Sequence, residues 1–116
     1  MIQPRRSNRI RTTAAGSCKT ERGFQWDIQL ADLSPGGCRV EDPRGAMRLG
    51  AMVKLFIAGT GPHHAEVAWR QGDRVGLEFR RTLPDRLFQL LAQEEWEAAQ
   101  TAEREGAVGL PIRRVL

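Results

Sequence analysis

The sequence predicts a mainly β fold: one small antiparallel barrel followed by a single C-terminal α-helix. Three observations carry this expectation. Apolar and polar residues alternate with period two in successive short segments between Phe24 and Phe79, the spacing of strands with one buried face. Clusters of Gly, Pro and Asp separate those segments at intervals that suit hairpins. After Phe79 the apolar spacing becomes helical. A chain of 116 residues fits one compact domain.

Residues 1–11 are rich in arginine, carry Pro4 and lack periodicity, and read as a flexible arm. Thr12, Ala14, Gly16 and Cys18 form one small-residue face of an opening strand within 12–20. Phe24, Trp26, Ile28 and Leu30 alternate with Gln25, Asp27, Gln29 and Ala31, which assigns the four apolar side chains to the core. A turn from Asp32 to Gly37 ends that strand, and Cys38 and Val40 mark a short strand after it. "EDPRG" breaks the pattern before Val53, Leu55 and Ile57. "GTGP" at 59–62 is turn material. Ala65, Val67 and Trp69 share one face, "QGD" at 71–73 is a tight connection, and Val75, Leu77 and Phe79 complete a series of five or six strands. Each large side chain buried contributes roughly 1.5–3 kcal/mol, enough in sum for one small barrel core.

Thr82 with Asp85 three residues on resembles a capping box. Pro84 falls in the first turn, where its missing N–H is harmless. Leu83, Leu87, Leu90 and Leu91 then recur at helical spacing, so one helix is expected over about 83–104, with Glu94, Glu95 and Glu97 on a solvated face. The barrel and helix make a unit over 12–105, and the Gly- and Pro-containing tail 106–116 reads as irregular.

The chain holds 18 Lys and Arg against 14 Asp and Glu. Six of those cations lie in residues 1–22 against a single acid, Glu21, which leaves twelve basic and thirteen acidic residues elsewhere. The positive excess is therefore N-terminal. Duplex nucleic acid binding calls for cations over a whole face and is not expected. Lysine occurs only at 19 and 54; arginine, the planar fork suited to phosphate and base edges, supplies the rest. With no signal-peptide core and no membrane-length apolar run, the sequence reads as a cytoplasmic protein without membrane insertion, its two cysteines, Cys18 and Cys38, reduced. His63 and His64 are adjacent in a strand, where they face opposite ways, so no metal site is expected. No nucleophile triad, phosphate-binding Gly loop or carboxylate pair points to an enzyme.

Two short motifs stand on either side of the opening strand region. "RRSNR" contains Arg5 and Arg9 in R-x-x-x-R spacing, and "DLSPGG" contains Asp32, Ser34 and Gly37 in D-x-S-x-x-G spacing. Alone, the first is a solvated basic tail and the second a plain β-turn with local side-chain bonds. Together and in this order, with "AEVAWRQGDRVGLEF" as a late hairpin, they resemble the PilZ domain family over roughly residues 4–93. The resemblance implies a six-stranded split barrel and binding of the bacterial second messenger cyclic di-GMP, with no resident cofactor. It implies ligand contacts by Arg5, Arg9, Asp32, Ser34 and Gly37, with Arg6 and Gly36 beside them.

The residue chemistry fits that ligand. An arginine fork meets guanine O6 and N7 with two parallel bonds, and its plane stacks on a base. Asp32 can accept from guanine N1–H and its amino group, or else orient an arginine of the arm. Ser34 can donate to a phosphate, and Gly36 and Gly37 allow close backbone approach and positive φ. The expected mechanism is an arm that becomes ordered on the ligand and alters contact with a downstream protein that controls motility, attachment or polysaccharide export. The helix and the tail "LPIRRVL" are candidate partner or homodimer surfaces. Two other classes compete: a barrel adaptor that binds no nucleotide, and a barrel for single-stranded nucleic acid. The second would need exposed aromatics, whereas Trp26 and Trp69 read as core, Trp69 because it shares a face with Val67.

Overall fold

The computed structural model describes residues 9–108; Arg5 and Arg6 lie outside them. The chain forms seven strands: β1 (Ile10–Arg11), β2 (Ala15–Thr20), β3 (Gln25–Ser34), β4 (Gly37–Glu41), β5 (Met52–Ile57), β6 (Thr60–Gln71) and β7 (Arg74–Phe79). Two helices follow, α1 (Asp85–Ala92) and α2 (Trp96–Val108). Strand neighbours run β3-β2-β5-β6-β7-β4, and a β3–β4 pairing closes this six-stranded antiparallel barrel; β1 is an added strand on β3. Inside lie the residues whose alternation marked them, among them Leu30, Val40, Leu55, Ile57, Val67, Val75 and Leu77.

The small-residue face of the opening strand has a geometric cause. A Cβ on Gly16 would stand 1.9 Å from the Phe56 carbonyl oxygen, so β2 and β5 approach this closely only because that position carries no side chain. Ala14 and Cys18 are buried on the same face. Both cysteines are free and buried. Burial, with the Asp42 charge adding to it, pushes the Cys18 thiol up to about 12, and burial followed by the Asp32 charge raises that of Cys38.

A carboxylate holds the β4–β5 connection. Asp42 is 1 % exposed. Its Oδ2 accepts from the Met47 amide at 2.8 Å and from Arg70 Nη1 at 2.9 Å, while Arg70 Nη2 donates to the Asp42 carbonyl at 2.8 Å. This ties the loop to β6 and lets Met47 enter the core.

Several local expectations are corrected. The single helix is two, because Glu94 adopts a left-handed conformation (φ 60°) and stops α1. The break re-aims the chain so that Ala99 is buried and Trp96 packs on the core. Gln100 then donates to the Ala58 carbonyl, and both Glu103 oxygens accept from the Gly61 amide at 2.9 Å. Thr82 caps nothing: the chain stays extended through Pro84, itself the N-cap, with no side-chain cap bond. Leu83 instead donates its amide to the Pro35 carbonyl at 2.8 Å. Helix α2 continues to Val108, into the span read as an irregular tail. Phe24 is 65 % exposed because it lies in the β2–β3 turn, before the pleat of β3 begins. Glu94, Glu95 and Glu97 are exposed, as their spacing predicts. Among the described residues no helix is long and apolar enough to cross a membrane.

Candidate functional site: a cleft at the barrel rim

Two irregularities of pairing build the site. On β3 the register against β4 shifts between Leu30 and Asp32. Without that bulge, Asp32 would share the inward face of Leu30. With it, Leu33 takes the core position, 0 % exposed, and Asp32 turns toward Arg9 and Arg39. On β6 the register against β7 shifts between Val67 and Trp69. Val67 stays in the core at 1 % exposure and Trp69 turns outward to 41 %. The shared-face argument that assigned Trp69 to the core fails at this bulge.

Once both bulges are counted, one row of paired residues crosses four strands. Asp32 pairs with Arg39, Arg39 with Gly76, and Gly76 with Trp69. Directly paired residues project to the same face. Gly76 is needed in the row: a Cβ there would meet the Trp69 indole nitrogen at 2.1 Å. Its bare backbone is the seat on which the indole rests.

The row borders an open cleft of about 630 Å³ whose lining includes Arg9, Ser34, Pro35, Gly36, Gly37, Arg39 and Trp69. Asp32 lies beneath it. Its Oδ1 accepts from Arg9 Nη1 at 2.6 Å, and its Oδ2 forms an ion pair with Arg39 Nη2 at 2.9 Å. The carboxylate side chain is 3 % exposed, whereas the two arginine side chains are 49 % and 40 % exposed. One buried anion thus braces two half-exposed guanidiniums. Each offers five N–H donors and uses one nitrogen on Asp32, so most of its donors remain for a ligand.

The turn that supplies the rest of the lining is shorter than expected. Strand β3 runs through Ser34 and β4 begins at Gly37, which leaves only Pro35 and Gly36 in the connection. Asp32 and Ser34 are therefore strand residues. The Ser34 hydroxyl donates to the Gly37 carbonyl at 3.3 Å, and the Gly36 and Pro35 carbonyls accept from the amides of Phe79 and Leu83 at 2.8 Å. Neither glycine has positive φ. Gly37 serves close approach instead, since a Cβ there would stand 2.1 Å from the Leu77 carbonyl oxygen. Gly36 has nothing within 4 Å of the same position.

Of the site residues read from the sequence, Arg9, Ser34, Gly36 and Gly37 come together in the cleft, with Asp32 below it; Arg5 and Arg6 lie outside the described residues. Arg9 leads directly into β1, whose Ile10 and Arg11 pair with Leu33 and Asp32. Sequence reasoning missed Arg39 and Trp69. The alternation of Cys38 and Val40 did place Arg39 on the outer face; its partnership with Asp32 depends on the β3 bulge, which leaves no mark in the sequence.

The described residues thus combine a barrel, two helices and a cationic cleft bordered by an exposed indole. The family model of the PilZ domain matches residues 3–94, and the chain belongs to that family. It is a family of cyclic di-GMP-binding domains, not of catalytic ones, and membership supports a general role as a cyclic di-GMP receptor. Among solved structures, an uncharacterized Legionella protein, Lpg0364, is similar at 18 % identity and TM-score 0.50, covering 78 % of this chain and 96 % of its own. That likeness concerns the fold. No curated protein matches the sequence significantly.

Proposed function

We propose that the rim cleft binds cyclic di-GMP through Arg9 and Arg39, with Trp69 as the surface on which a guanine stacks. The observation that carries this reading is the row Asp32–Arg39–Gly76–Trp69, which sets two braced guanidiniums and one exposed indole around a single cleft. Phosphate oxygens and guanine O6 and N7 are the acceptors that a guanidinium fork fits. An exposed indole offers a π face to the base. Asp32 acts by holding the arginines rather than by reading the base, because it lies under the cleft. Ser34 and the Gly36–Gly37 backbone line the side on which a phosphate would rest.

Arg5 stands four residues before Arg9, with Arg6 next to it, and these are the second cations of the clamp. Ligand contacts by Arg5 and Arg9 hold the N-terminal segment against the cleft. The surface so formed meets a downstream protein, in a system controlling motility, attachment or polysaccharide export. Two exposed aromatics, Phe24 and Trp69, remove one objection to a single-stranded nucleic acid reading. They stand apart, however, on the β2–β3 turn and on β6, and form no continuous stacking platform.

Isothermal titration with cyclic di-GMP, cyclic di-AMP and a short oligonucleotide tests the reading. Cyclic di-GMP should bind in preference to the other two. Arg9→Ala should cost about 2–5 kcal/mol of binding, as truncation of one partner of a desolvated charge pair does. Trp69→Leu should cost about 1–3 kcal/mol, the range for one stacked base. Unchanged affinity in both variants would remove the cleft from the mechanism.

A further inference from the structure

At the other end of the barrel wall, a second groove of about 530 Å³ is lined by Lys19, Arg22, Met52, Lys54 and His64. Register makes it unusual. The two lysines of the chain stand directly opposite each other, Lys19 on β2 against Lys54 on β5, and Lys54 stands opposite His64 on β6. Like charges at paired positions, about 5 Å apart, destabilise a sheet. Arg80 joins them: its amide donates to the His64 carbonyl at 2.8 Å and its guanidinium reaches Met52 Sδ at 3.8 Å.

None of the ion pairs among the described residues involves Lys19, Arg22, Lys54 or Arg80. The fold therefore tolerates an unneutralised row of cations on an exposed face. Carboxylates flank this row without joining it. By register Asp27 is diagonal to Lys19, Glu66 is diagonal to Lys54, and Glu21 lines the groove. Those fixed negative charges repel a continuous polyanion but leave room for discrete carboxylates placed over the lysines. Apolar contact is also on offer. Met52 is half-buried within the groove, and the exposed Phe24 closes the hairpin whose Thr20 lines it.

We propose that this groove docks an acidic segment of a partner protein, with carboxylates over Lys19 and Lys54 and an apolar side chain against Met52 and Phe24. Charge complementarity selects the partner, and the mixed charge and apolar rim select polypeptide over nucleic acid. The surface is separate from the nucleotide cleft. Along β3, Gln25 beside Lys19 and Asp32 beneath the cleft are seven residues apart, or about 23 Å of strand. Both sites can be filled at once, and the docking does not depend on the nucleotide reading.

The test is a titration of the isotope-labelled full chain with a synthetic Glu- and Leu-containing peptide (EELEELEE), followed by amide chemical shifts. A short polyphosphate and a thymidine oligonucleotide serve as comparison probes. The peptide should shift amides of Thr20, Lys54 and His64, and 0.5 M salt should weaken it. K19E/K54E should lose at least about tenfold in affinity, and K19A/K54A, which removes the opposed charges, should melt no lower than the parent. K19A/K54A should lose binding in the same direction without charge reversal. Three results overturn the proposal: peptide shifts that map elsewhere or survive both double variants; stronger shifts at these amides from polyphosphate or oligonucleotide; or self-association of the parent through this face, which would make a second copy the occupant.

Discussion

Asp32→Ala should destabilise the protein less than removal of the two arginines that Asp32 braces. The asymmetry follows from who is buried. Asp32 makes two charge-assisted contacts, at 2.6 and 2.9 Å. Such bonds contribute about 1.5–3 kcal/mol each when shielded. The partner guanidiniums are 49 % and 40 % exposed, so water screens both and the lower end applies, about 3 kcal/mol together. Deleting the carboxylate also removes the desolvation cost of a nearly buried charge, which offsets part of that loss. The freed arginines rehydrate where they stand. A net loss of about 1–2 kcal/mol is expected.

Arg9→Ala with Arg39→Ala leaves the opposite situation: a carboxylate 3 % exposed that loses both its ion-pair partners. Stranding a buried charge costs about 3–5 kcal/mol. The difference of about 2–3 kcal/mol corresponds to roughly 10 °C or more in melting temperature for a domain of this size. Urea unfolding, compared at constant m-value, measures it. Each variant should also bind cyclic di-GMP at least about tenfold more weakly, Asp32→Ala because the guanidiniums lose their brace and the double variant because they are gone. A loss in Asp32→Ala equal to or larger than that of the double arginine variant would falsify the brace, and Asp32 would then have to contribute through some other contact.

The remaining predictions concern neighbouring features. Gly37→Ala should cost about 2 kcal/mol or more in unfolding free energy, because its Cβ would collide with the Leu77 carbonyl. Gly36→Ala, with open space around it, should change stability by under about 0.5 kcal/mol; equal losses would mean that the turn, not the β4–β7 approach, sets the requirement. Gly76→Ala should displace the Trp69 indole, which tryptophan fluorescence and near-UV dichroism would register, and should weaken nucleotide binding while β6 and β7 stay paired. Burial, with His64 beside it, pushes the His63 imidazole down to about 4. The unfolded chain takes up that proton near the ordinary value of 6.5, so the contribution to stability is complete above about pH 6.5 and is lost as the pH falls toward 4, by up to about 3 kcal/mol. His63→Gln should flatten that part of the pH–stability profile. A His63 titration midpoint above 6.5 would show instead that Glu103, 3.9 Å from its ring, outweighs burial.

Alternation marked the strands of the barrel and their inward faces. Val53, Leu55 and Ile57, or Val75, Leu77 and Phe79, leave little choice of inward face, because a one-residue slip would expose all three at once. The change of period after Phe79 marked the helical end of the chain, and the resemblance carried by the two motifs implied that Arg9, Asp32, Ser34 and Gly37 serve one site. Tertiary structure decided which way Asp32 and Trp69 face. Each sits just past a bulge, where one unpaired residue reverses the alternation, and the side that a bulged strand shows to its neighbour depends on pairing across strands far apart in sequence. The same holds for Arg39 over Asp32, for the opposed Lys19 and Lys54, and for the break at Glu94. Each is a relation between segments or a backbone angle set by docking on the core, and local pattern carries no record of either.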